Sequence, residues 1–254
     1  MPRIARLRSS TGIYHIILRG NNRQAIFEDE EDYQRFLQIL HKYRDICDFR
    51  IYAYCLMSNH LHLLIRQMAE PIETIMRRIC SSYVLWFNKK YERIGYLFQD
   101  RYKSEPVEDE RYFRTVIRYI FWNPVKAGIV PSVQDYKWMN YMDYAGSGNS
   151  TTDVHEVLGF LDPHRERARK FLVEFINQKN EDNCLDISNR TRTTDTEARR
   201  IILKHCKVER ATDLQKMDIA IRNQYINELR KGYGISIRQI ERITGISRGV
   251  IQRV

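Results

Sequence analysis

Two histidines one residue apart, His60 and His62, open the apolar run Ser58-Asn59-His60-Leu61-His62-Leu63-Leu64-Ile65. Side chains alternate faces along a strand, so both imidazoles point one way while Leu61 points the other. That spacing lets two nitrogen ligands reach one metal ion from a rigid element. It also suits two core histidines satisfied by backbone carbonyls, and spacing alone does not choose between the two. Downstream, Tyr119 and Asn123 stand at i and i+4 of a helical pattern, hence on one face. Asn123 could add an oxygen ligand, and the Tyr119 hydroxyl could attack an electrophile polarised by a metal. With sixteen tyrosines in the chain, the pattern fits a half-buried helix aromatic equally well.

The elements that must position these residues are legible in order. Residues 12–19 (GIYHIILR) alternate as a first strand and end in the turn Gly20-Asn21-Asn22, flanked by Arg19 and Arg23. A basic, amide-rich turn at a strand end suits phosphate or base contact, and Arg19, Asn21, Asn22 and Arg23 are candidates for it. A helix is predicted from Asp29 to about Cys47, with acids in its first turn. Residues 49–57 form a second strand, paired with the histidine strand as a hairpin. Pro71 opens a second helix, and Gly95 breaks the helical pattern beyond it. Residues 97–107 alternate as a fourth strand, with Arg101 and Lys103 on one face as further candidates for phosphate contact. The helix carrying Tyr119 is predicted from about Glu108 to a stop at Asn123-Pro124. The fold class is therefore α+β. The order β-α-β-β-α-β plus a helix predicts a ferredoxin-like, split-βαβ sandwich with an antiparallel sheet and its helices on one face.

Beyond this core the chain changes character. Residues 126–150 read as an irregular wrap, GSGNSTT as a linker, 153–180 as one or two helices, and DISNRTRTTDT as a second linker. From Asp195 the sequence is strongly helical. Its last part, a helix over 236–243, the turn Thr244-Gly245-Ile246-Ser247 and a helix over 247–254, matches a helix-turn-helix in which Arg248 and Arg253 would face a groove. The chain thus divides into three regions: 1–148 as the α+β domain, 149–192 as a helical linker region, and 193–254 as a helical domain whose helix-turn-helix pattern suits DNA binding. Helical domains of this kind also occur without DNA.

The chain of 254 residues carries a net charge of +10 and a pI near 9.4, which favours an anionic partner, most often nucleic acid. Ten Phe and sixteen Tyr among the basic residues suit stacking on unpaired bases, although core packing accounts for most of them. The five cysteines show no C-x-x-C and no zinc spacing, so reduced, mostly buried thiols are expected. The basic start MPRIARLRSS is followed by no long apolar run, which argues against a signal peptide, and no stretch has the length of a membrane span. A cytoplasmic, nucleoid-associated protein is expected.

Taken together and in order, SNHLHLL, LFQDRYKS and YIFWNPVKAGIV, with the RGNNRQ turn before them, resemble the single-tyrosine HUH transposases of the insertion-sequence type. The resemblance spans about residues 10–132 and is nearest to the branch associated with repetitive extragenic palindromes (REP). It implies a ferredoxin-like fold that cleaves and rejoins single-stranded or hairpin DNA. By position, His60 and His62 would hold a divalent metal, Mg²⁺ or Mn²⁺, on the scissile phosphate. Tyr119 would attack to leave a 5′-phosphotyrosine and a free 3′-hydroxyl, and Asn123 would complete the metal site. Related enzymes often carry Gln at that place, and Asn is one methylene shorter, so a water-mediated role is equally compatible. A homodimer is implied in the same way. Two other readings are weighed against it. One is a domesticated, non-catalytic DNA-binding regulator, which intact motifs disfavour. The other is an RNA-binding sheet, for which the strands lack the K/R-G-F-x-F aromatic signature.

Overall fold

The computed structural model describes residues 6–146, 152–185 and 195–254. Most of the expected GSGNSTT and DISNRTRTTDT linkers lies outside the described residues. The chain divides into two compact units, Met1–Ile187 and Ser188–Val254.

In the first unit β1 (Ile13–Arg19), β2 (Phe49–Met57), β3 (His60–Gln67) and β4 (Lys103–Pro106) form one antiparallel sheet in the order β2-β3-β1-β4. Between β1 and β2 runs α1 (Glu30–Cys47). Its N-cap Asp29 and Asp32 form a reciprocal capping box, and Asp48 ends it in the left-handed conformation, φ 46°. Between β3 and β4 runs α2 (Ile72–Lys90), opened by Pro71. Alternation sorts the strand side chains cleanly. Tyr14, Ile16, Leu18, Leu61, Leu63 and Ile65 join Phe36, Leu40, Ile75 and Tyr83 of α1 and α2 in one buried cluster.

Helix α3 (Glu110–Lys126) lies on the other face, where Val116, Ile117 and Ile120 pack with Ile13, Cys55 and Leu64. The expectation of helices on one face is thus corrected: both faces are covered. Each face of the central strands presents apolar residues that water would otherwise meet, so each needs a layer. Helices α4 (Tyr141–Ala145), α5 (Val154–Leu161) and α6 (Arg165–Asn177) join the α3 layer through Tyr144, Val157, Leu158 and Leu172. Residues 154–177, placed by sequence in a separate linker region, therefore belong to the first unit's core.

Two boundaries differ from the sequence reading. The fourth strand is Lys103–Pro106 rather than 97–107. Upstream of it, pairing survives only as a bridge between Gly20 and Phe98, because β1 has already turned into the short 3-10 turn Asn21–Arg23. Helix α3 also runs through Pro124 instead of stopping before it. Proline removes one backbone N–H and frees the carbonyl of Ile120. The Asn123 side-chain amide takes over, donating to Tyr119 O at 2.8 Å and to Ile120 O at 3.4 Å.

The wrap after α3 closes the sheet's β2 edge. Leu56 N–H donates to Trp138 O, and Asp153 Oδ2 accepts from Ile51 N–H at 2.8 Å. At the irregularity between Ile51 and Ala53, buried Asn140 accepts from Tyr54 N–H at 2.8 Å and donates to Tyr52 O at 2.9 Å.

The second unit contains α7 (Asp195–His205), α8 (Ile219–Lys231), α9 (Ile237–Thr244) and α10 (Arg248–Arg253) around Ile202, Leu214, Ile226, Leu229, Ile240 and Ile251. Ser236 and Gln239 cap α9 reciprocally, and Gly245 at φ 73° ends it. Ser247 stands at the N-cap of α10 without a side-chain bond, and Glu241 Oε1 accepts from Arg248 N–H instead.

Candidate active site

The strand register builds the site. In antiparallel pairing, directly opposed residues share a face. Arg19 lies opposite His60, and Ile17 opposite both His62 and Lys103. His15 lies opposite both Leu64 and Glu105. Arg19, His15, His60, His62, Lys103 and Glu105 therefore all belong to the face covered by α3. From α3, Tyr119 closes on the histidines, its ring centroid 5.8 Å from that of His62 and 5.9 Å from that of His15, both edge-on. His60 and His62 rings lie 5.3 Å apart. Lys126, two turns further along α3, places Nζ 5.2 Å from the centre of the Tyr119 ring.

The two histidines differ in setting. His60 is half-buried, and its Nδ1 bonds Asn59 Oδ1 at 2.7 Å. His62 is fully buried; its Nδ1 meets His15 Nε2 at 3.0 Å, and its Nε2 has no hydrogen-bond partner. Burial, followed by the neighbouring His15 and His60, holds the His62 pKa well below its ordinary value, so the ring is neutral near pH 7. A buried, neutral imidazole with an unpartnered nitrogen is the state a metal ligand requires.

Behind His62 stands a polar pair that the sequence reading passed over. His15, 0% exposed, turns Nδ1 toward Glu105 Oε2 at 3.8 Å. Glu105 in turn accepts from Tyr112 Oη at 2.5 Å and from Leu185 N–H at 3.1 Å. His15, then Tyr112 and Leu185 N–H, hold the Glu105 carboxyl below the usual carboxylate range against the opposing effect of burial. The signal was present in β1: one histidine inside IYHIILR, on the parity of Arg19 rather than of Tyr14, Ile16 and Leu18. Only the register reveals that its neighbours are His62 and Glu105.

The donors on this face bear on whether a divalent metal could be held. Among the described residues, no group of three or more His, Cys, Asp or Glu could hold a metal ion. Two imidazoles on one sheet face leave most of a coordination shell to water, substrate and any oxygen that α3 supplies; the Asn123 amide nitrogen itself is committed to the helix backbone. That is the usual arrangement for Mg²⁺ or Mn²⁺ on a phosphate, and imidazole ligands favour the softer Mn²⁺. The residues fit such a group.

The DNA candidates distribute unevenly. Arg19 and Lys103 share the histidine face. Asn22 and Arg23 are exposed in the turn after β1 and adopt positive φ, 49° and 63°, which bends the backbone sharply there. Asn21 is anchored through its N–H to Leu97 O. Arg101 is exposed, but in the loop before β4 rather than on the strand. Arg248 opens α10 in the second unit.

Comparison with known proteins gives likenesses in sequence and in fold. Residues 8–123 match the model of the family described as "Transposase IS200 like". A curated relative from Haemophilus influenzae, provisionally named a REP-associated tyrosine transposase, is 28% identical over 115 residues, 39% of this chain. The chain spans about 64% of that relative's length. A solved REP-associated tyrosine transposase, captured with a REP hairpin, superimposes with a TM-score of 0.54 at 17% identity, over 75% of this chain and 98% of the other. At that identity the superposition speaks for the fold. Over residues 8–123 the chain is thus similar to the IS200-like transposases, and its likeness extends to the REP-associated tyrosine transposases.

Proposed function

We propose that this protein cleaves and rejoins single-stranded or hairpin DNA with Tyr119 as the nucleophile. The observation that carries this reading is the meeting of Tyr119 with His62 and His15 on one sheet face, beside a buried His62 nitrogen that has no partner. The Tyr119 oxygen would form a bond to the scissile phosphorus as the bond to the 3′-oxygen breaks. The phenolic proton ends, in net, on the departing 3′-hydroxyl, and the 5′-phosphate stays on the enzyme. Rejoining reverses the same exchange, so no nucleotide cofactor is consumed. His60, His62 and Asn123 would hold Mg²⁺ or Mn²⁺, which when bound neutralises and orients the phosphate. Arg19 and Lys103, on the same face, suit the flanking phosphates, and the Asn21–Arg23 turn and Arg101 extend that basic edge.

The strand order β2-β3-β1-β4 with two split-βαβ crossovers supports the ferredoxin-like reading. In the second unit, the Gly245 turn between two short helices supports a helix-turn-helix whose Arg248 meets duplex DNA. The same reading has the protein working as a homodimer at the nucleoid. Among the described residues, no helix is long and apolar enough to cross a membrane.

The test is a covalent trap. Labelled single-stranded and hairpin DNA from palindromic repeats, incubated with protein and Mn²⁺, should give an adduct that withstands denaturation. Tyr119→Phe and chelation by EDTA should each abolish it. Binding without cleavage, unchanged in His60→Ala and Tyr119→Phe, would favour a non-catalytic regulator instead.

A further inference from the structure

We infer that Glu105 and His15 are positioning residues that fix His62 in one tautomer, with the proton on Nδ1 and the lone pair on Nε2, through the relay Glu105–His15–His62. This rests on the proposal that His62 is a metal ligand, and extends it to two residues outside the matched motifs.

The geometry leaves little freedom. His15 Nε2 and His62 Nδ1 lie 3.0 Å apart and share one proton. If His15 donated it, His62 would carry its proton on Nε2, which has no acceptor among the described residues. An unmet buried donor costs on the order of 1–3 kcal/mol. The lone pair of neutral His15 would then sit on Nδ1, facing the Glu105 carboxylate at 3.8 Å, an electrostatic clash. If His62 donates instead, His15 turns an Nδ1–H toward Glu105, and His62 Nε2 becomes a bare lone pair. The Nδ1–H of His15 then faces the Glu105 carboxylate across 3.8 Å, an electrostatic attraction longer than a hydrogen bond, and His62 Nε2 is left as a bare acceptor. Carboxylate–histidine–metal chains use the same logic with one histidine fewer.

Glu105 is itself held. Tyr112 Oη and Leu185 N–H both donate to Oε2, and Leu185 is fixed by the segment behind it. There Arg118 forms a paired contact with Asp182, at 2.6 and 2.9 Å, and Lys126 donates to Asp182 O. The anchor of the relay thus comes from residues 182–185, beyond the stretch that matches the family model.

The experiment uses the metal-free full chain with ¹⁵N-labelled histidine, its seven imidazoles assigned by through-bond correlation. Two-bond ¹H–¹⁵N spectra should show His62 protonated on Nδ1 and bare on Nε2, and His15 protonated on Nδ1 only. In Glu105→Gln, which keeps the size of the side chain and can still accept from Tyr112, His62 should become a tautomer mixture. Mn²⁺ affinity of the protein alone, read by EPR of the free ion, should fall roughly tenfold or more in that variant, as for other residues that orient a ligand. A wild-type His62 protonated on Nε2, or a doubly protonated His15, overturns the relay, as does a Glu105→Gln that leaves both readouts unchanged. The wild-type spectrum decides even if the variant folds poorly. The expected tautomer with no Mn²⁺ binding would keep the relay and sink the metal reading, so the two fail separately.

Discussion

The two faces of the sheet are built from the same strands and share almost nothing chemically. Toward α1 and α2, β1 and β3 present Tyr14, Ile16, Leu18, Leu61, Leu63 and Ile65, with no titratable pair among them. Toward α3 the same strands present His15, Arg19, His60 and His62, to which β4 adds Lys103 and Glu105. The lesson is a division of labour by parity. One face stabilises by removing apolar surface from water, and that rigidity lets the other carry buried polar groups at fixed spacing. Buried polar atoms are ordinarily hydrogen-bonded, and the His62 nitrogen that is not is the one proposed to receive a metal.

That contrast can be broken experimentally. The largest effect is expected from Tyr119→Phe, which removes one oxygen on the α3 face. Adduct formation should drop by at least about 10³-fold, with urea denaturation nearly unmoved. A large loss of stability there would mean the tyrosine serves packing after all. Leu63→Ala, on the opposite face, should reverse the pattern. Stability falls by about 2–5 kcal/mol, as for buried Leu truncations generally, while adduct yield per folded molecule is kept. Asn123→Ala should sit between the two, because its amide repairs the carbonyls beside Pro124 and its oxygen is the one proposed to join the metal. A loss of about 1–2 kcal/mol should accompany weaker Mn²⁺ dependence, and either effect alone would assign Asn123 to only one role. The smallest effect concerns acid. Glu105 ionises below its ordinary 4.5, so its stabilising contribution is complete above that pH and fades as pH falls through the lower folded value. Glu105→Gln should therefore flatten the acid limb of the stability profile slightly, and an unchanged limb would place the carboxylate outside the fold's balance.

Much of this was readable from local pattern. Period-two alternation put His60 and His62 on one face, and i, i+4 spacing put Tyr119 and Asn123 on one side of α3, because both rules depend only on neighbours in sequence. His15 escaped because its meaning comes from register: alone in an alternating strand it is indistinguishable from a packed histidine, and only pairing with β3 and β4 brings His62 and Glu105 to it. The length of α3 escaped for a related reason, since a proline stops a helix unless something replaces its lost bond, and Asn123 does so. That α3 would cover the second face was likewise a matter of layers, which no single segment encodes.

The wrap that ends at Asn140 also bears on assembly. An open sheet edge invites a strand from another molecule, and two copies joining edge to edge would make one continuous sheet. Here β2 offers no such invitation. Trp138 and Asp153 take up its outward backbone groups, and Asn140 answers both a donor and an acceptor at the irregularity, so an incoming strand would find those partners already taken. The other border is β4, four residues long and ending in Pro106, which has no N–H to give. A dimer of this protein would therefore have to meet through helices and loops or along β4, and a sheet continuous across β2 would first require the wrap to be peeled away.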